Sequence, residues 1–168
     1  MKIFFNIVQN LFTFFKIFVI IMSKMIEENK MKAYKITLTT SADGKETQII
    51  RNGKALLSLA ETIVVYREEN AEITLTFKRA GVKIERRGDY DLSLSLEQDK
   101  TTEGTLGLGG SVGGIRAHAH KISYSIGKDS LLAFLHYALI FDDERQEMKL
   151  RLYAKEDERK HEGDNGEI

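Results

Sequence analysis

Residues able to do chemistry gather in one stretch of this chain. From Gly104 to Gly127 it reads GTLGLGGSVGGIRAHAHKISYSIG. The stretch holds a Gly-x-Ser-x-Gly match centred on Ser111 and a His-x-His pair, His118 and His120. Three chemistries compete for it: acyl transfer at an activated serine, phosphate binding on a glycine loop, and metal chelation by imidazoles. The fourth reading has no chemistry at all, only a glycine-bent strand.

A nucleophile elbow sets its serine on a sharp turn between a strand and a helix. Here VGGIRAHAHKISYSI follows Ser111. That run has period two and two further glycines, so it predicts a strand. A triad would also need an acid and then a histidine. Asp129, Asp142 or Asp143 could be the acid, but the last histidine is His161, in a charged tail. A dinucleotide loop starting at Gly107 needs glycine at 112, where valine stands. No Gly-Lys-Ser/Thr closes a Walker-type loop. The favoured reading is that the glycines let a strand bend, bulge or approach a neighbour.

His118 and His120 share a face if the segment is a strand, and could then chelate a metal with a third ligand. His136 is the obvious third. A two-residue turn at Gly127-Lys128 would pair Ala119 with His136, and a four-residue loop keeps that parity. His136 would then point away from the other two, because directly opposite residues share a face. The same register sets His118 opposite Tyr137. No metal and no cofactor are therefore expected. The expected role of these residues is the lining of a cavity mouth, formed by Arg116, His118, His120, Tyr124 and Tyr137: aromatic walls with a few polar anchors.

The elements that must hold these residues are short strands. From Met31 onward polar and apolar residues alternate, and turn residues interrupt them every 6 to 12 positions. AYKITLTT, ETIVVYRE, EITLTFKR, VKIERR, YDLSLSLE, HKISYSI, SLLAFLHYALIF and QEMKLRLYAK are the clearest runs. Asn52-Gly53 is a strong two-residue hairpin signal, because both residues tolerate positive φ. KALLSLAE is weaker and fits a helical turn or a strand. The expectation is an all-β fold of nine or ten strands, joined by tight turns and therefore antiparallel. A meander of that length exposes two edges unless it closes, so a closed β-barrel is expected.

Residues 1–30 have a different composition. Phe, Ile, Lys, Asn and Met dominate them, and Ala, Gly, Arg and Asp do not occur before Ala33. The favoured reading is a start assigned upstream of the true one, with Met22, Met25 and Met31 as alternative starts. A membrane anchor over residues 3–22 is the alternative. That run is long enough to span, but Lys16 interrupts it. A secretory signal is the third reading, with no small-x-small cleavage site after the apolar run. The barrel is then expected over 31–156, with a polar tail over 157–168.

The chain has 25 Lys and Arg against 25 Asp and Glu, so no electrostatic footprint for nucleic acid is visible. It has no Cys, which suits a reducing, cytoplasmic compartment. A membrane enters only if the leader is a real anchor.

The order of these runs resembles a family of uncharacterised bacterial proteins with a calycin-like, or lipocalin-like, β-barrel. AYKITLTTSADGKETQII, ITLTFKRAGVKIERRGDYDLSLSLE, the glycine-rich segment, HKISYSI and the closing LLAFLHYALIF and MKLRLYAK carry the resemblance, over about Met31 to Lys155. It implies a barrel and a ligand cavity, and no reaction. The expected function is non-enzymatic binding of a small, partly apolar ligand. A filled-core interaction protein is the alternative, and a hydrolase at Ser111 the second.

Overall fold

The computed structural model describes residues 31–158. The leader and the tail from 159 lie outside the described residues. Among those described, no helix is long and apolar enough to cross a membrane.

Ten strands form: β1 (Lys32–Ala42), β2 (Lys45–Leu56), β3 (Glu61–Glu68), β4 (Ala71–Lys78), β5 (Gly81–Gly88), β6 (Tyr90–Leu96), β7 (Thr101–Leu108), β8 (Ser111–Ile126), β9 (Ser130–Phe141) and β10 (Glu144–Glu156). Each pairs with its neighbours in sequence, all antiparallel. β1 also pairs with β10, which closes the meander into a barrel. Closure removes the two edges an open ten-stranded meander would expose. It is the architecture expected from the alternating pattern.

Alternation sorts the side chains. Ile36, Val64, Leu75, Phe77, Leu94, Leu131, Leu135 and Leu152 point inward and are essentially fully buried. Their neighbours one residue along, polar in most strands but apolar beside Val64 and Leu131, point to the outer face. The Phe77 and Tyr124 rings meet inside with centroids 5.2 Å apart. The barrel body is thus packed with side chains, and each large one buried contributes about 1.5–3 kcal/mol by leaving water.

Two turns follow local chemistry. Asp43-Gly44 joins β1 to β2 with both residues at positive φ. Gly109 and Gly110 lie at φ 58° and 84° and join β7 to β8. Such two-residue turns match the twist of the strands they join.

Asn52-Gly53 does not turn, contrary to expectation. It lies within β2, and Gly53 faces inward between Tyr34 and Tyr66. A Cβ there would sit 2.4 Å from the Val65 carbonyl oxygen and 2.5 Å from the Ile36 side chain. The glycine serves close approach of strands. Lys54–Leu56 of the ambiguous KALLSLAE segment completes β2, and no helix forms there.

One seam is short. β2 pairs with β3 only through Gly53–Leu56, so Lys45–Asn52 has β1 alone as its partner.

Candidate functional site

Hairpin turns at the ends of β1, β3, β5, β7 and β9 lie at one end of the barrel, which forms its mouth. Two recesses open there. The first has a volume of about 560 Å³ and is lined by Leu92, Leu106, Ile115, Leu139 and Phe141, with Tyr90, Arg145 and Gln146 among its polar members. The second, along the β2–β3 seam, measures about 360 Å³ and is lined by Ile49, Arg51, Tyr66, Glu68 and Arg86.

The mouth is open for a reason visible in the strands. β8 presents Ser111 and Gly113 inward at this end, by the same alternation that buries Ile115, Ala117 and Ala119. Gly113 lies opposite Leu106, and a Cβ on it would meet nothing closer than 4.0 Å. Small residues there leave space that larger ones fill lower down.

Two guanidiniums face the same space. Arg51 lies opposite the fully buried Ile36 and so points inward. It donates to the Ile50 carbonyl at 3.0 Å. Arg86 shares the inward face with Val82 and Ile84, stacks 3.6 Å over the Tyr90 ring, and pairs with Asp89 at 2.5 Å. Tyr90 lines the first recess and Arg86 the second, so the two meet at this stack. Tyr137 is buried nearby, and burial pushes its phenol up to about 12, with the charge of Tyr90 adding to the shift.

A second cluster lies on the outer face. The β8–β9 connection runs over four residues, pairing Ile126 with Leu131 and Lys121 with His136. Between Ala119 and Lys121 the register shifts, and beyond it Ala119 pairs with Tyr137. His120 is the extra residue of this β-bulge. The Gln98 side chain clamps it: the amide donates to the His120 carbonyl at 2.9 Å and accepts from the Ile122 N–H at 2.8 Å. The bulge puts His120 on the same face as His136, with ring centroids 4.7 Å apart. The expectation that His136 points away is therefore corrected, and so is the pairing of His118 with Tyr137, since His118 lies opposite Ala138.

Glu147 on β10 completes this cluster. Its Oε2 lies 3.3 Å from His120 Nε2 and 3.1 Å from His136 Nε2. Arg145 donates to Glu147 Oε1 at 2.9 Å and approaches His120 Nε2 at 3.1 Å. Burial works to raise the Glu147 carboxyl, but the Arg145 hydrogen bond and the neighbouring His120, Arg145 and His136 outweigh it and hold it below its ordinary value. His118 stands edge-on to His120 at 5.0 Å, and its Nδ1 shares a 2.9 Å hydrogen bond with Thr101 Oγ1.

The five residues expected to line one cavity are thus divided. Tyr137 points inward below the mouth. Tyr124 also points inward, near the opposite end, against Phe77. Arg116, His118 and His120 lie on the outer face. None of the five lines the first recess. Its apolar wall comes from the mouth-side ends of β6, β7, β8 and β9, a set that aligning the turns at one end could have picked out. Ser111 opens β8, so a strand follows it and not the helix of a nucleophile elbow.

These features define a closed, ten-stranded antiparallel barrel with a filled body and an open mouth. The chain belongs to the DUF1934 family, described as a domain of unknown function, whose pattern matches residues 35–152. The expectation of an uncharacterised barrel family is met. The crystal structure of the ywiB protein from Bacillus subtilis is similar, with a TM-score of 0.67 at 10% identity over 78% of this chain and 98% of that one. At that identity the likeness shows the fold alone. No curated protein matches the chain.

Proposed function

We propose that the protein is a non-enzymatic binder of a small, partly apolar ligand that carries an anionic group. The observation behind this reading is the first recess: about 560 Å³ at the mouth of an otherwise filled barrel, walled by leucines, Ile115 and Phe141. That volume suits a small molecule, and small barrels hold one such ligand where side chains leave room. Arg51 supports the anionic group. It faces inward and lines the second, seam recess at the same mouth, and among the described residues no carboxylate lies within ion-pair distance of it.

Native mass spectrometry of the full chain purified from cells tests the reading. The expected result is an added mass that denaturation releases. Gly113→Leu sharpens it, because the site has room for a side chain and its backbone is not left-handed. This variant is expected to fold and to lose the added mass. Bare wild-type protein that also fails to bind an anilinonaphthalene sulfonate probe would overturn the proposal. A second reading, an interaction protein, draws on the β7–β8 hairpin tip, where Leu108 and Val112 are 66% and 77% exposed. A partner retained by the wild type and lost in Val112→Ser would favour it.

A further inference from the structure

We infer that the outer face of β8, β9 and β10 carries a zinc-type metal site built from His120, His136 and Glu147. All three ligand atoms lie within 4.8 Å of one another. Two of the separations, 3.1 and 3.3 Å, are those from Glu147 Oε2 to the imidazole nitrogens. Bonds of about 2.0–2.2 Å to nitrogen and oxygen in a tetrahedral shell set donors roughly 3.3–3.5 Å apart. Small side-chain rotations would therefore complete the shell. Two imidazoles and one carboxylate suit zinc and its first-row neighbours, and not calcium or magnesium, which take oxygen donors. Three protein ligands leave one position for water.

The supporting shell is present. Gln98 fixes the bulge that turns His120 toward His136. The guanidinium has only donors, so the Arg145 contact makes His120 Nε2 the acceptor and occupies the lone pair that a metal would take over. His136 Nε2 faces Glu147, so holding a metal there would place the imidazole proton on Nδ1, a change of tautomer. Arg145 is the opposing feature, since its positive charge sits where a cation would enter. Its side chain is half exposed and can hold Glu147 Oε1 while leaving His120.

Titration calorimetry of the full chain with Zn²⁺, in two buffers of different ionisation enthalpy, tests the site. One ion per chain is expected, with the same stoichiometry in both buffers. His136→Ala and Glu147→Gln should each weaken binding by about tenfold or more, and His118→Ala and His161→Ala should leave it nearly unchanged. Arg145→Ala should tighten binding, a gain that a misfolded variant cannot imitate. Zinc binding that persists in His120→Ala/His136→Ala, or depends on His161, would overturn the site. So would the absence of binding in both the wild type and Arg145→Ala with the fold intact by circular dichroism.

Discussion

The body of the barrel and its mouth are made by the same ten strands, yet one is filled and the other open. In the body, Phe77, Leu75, Leu131 and Leu152 reach inward from different strands and exclude solvent. At the mouth, β8 offers Ser111 and Gly113, and β2 parts from β3 beyond Gly53. The hydrogen-bonded frame does not by itself decide whether a barrel has a cavity. Inward side-chain volume and the completeness of each seam do.

The largest effect that tests this contrast is expected in the body. Phe77→Ala should cost about 3–5 kcal/mol, because the packed surroundings cannot collapse onto the space left. Chemical denaturation measures it, and a loss below about 1 kcal/mol would mean that the body is not tightly packed. Next comes Tyr137, where body meets mouth. Its phenol is raised to about 12 from 10, so its contribution is complete below pH 10 and is lost as pH rises through 12. The loss is on the order of 2–3 kcal/mol. Denaturation at stepped alkaline pH should show it, and Tyr137→Phe should make that limb shallower without removing it, because burial also raises Tyr34 and Tyr66. The smallest effect is expected at the mouth. Leu106→Ala should cost less than about 1.5 kcal/mol, since its side chain already borders open space, while weakening ligand retention. A cost equal to that of Phe77→Ala would erase the distinction between the two regions.

Much of the frame was legible because it rests on local chemistry. Alternation marked the strands, but Gly109-Gly110, read as part of one bent strand, instead turns the chain between β7 and β8, where both residues take positive φ. Asn52-Gly53 carries the same local signal and yet runs straight, because Gly53 is needed where Ile36, Val65 and Tyr66 converge. The convergence is invisible in a window of a few residues. The histidine cluster was misplaced for a similar reason. Ala117-His118-Ala119-His120 alternates without a break, and nothing local marks a bulge.

The sequence alone determined the strand class, the antiparallel meander and the need for closure, since side-chain period and turn chemistry act between near neighbours. Tertiary structure decided which residues meet. Gln98 reaches the bulge from 22 residues away, and its amide takes up backbone groups that the irregular ladder leaves free. That one contact belongs to the clamp that sets His120 on the outer face, beside His136 and Glu147. A side-chain period of two makes any one-residue shift exchange inside for outside, so the faces of the barrel were settled only when its distant parts came together.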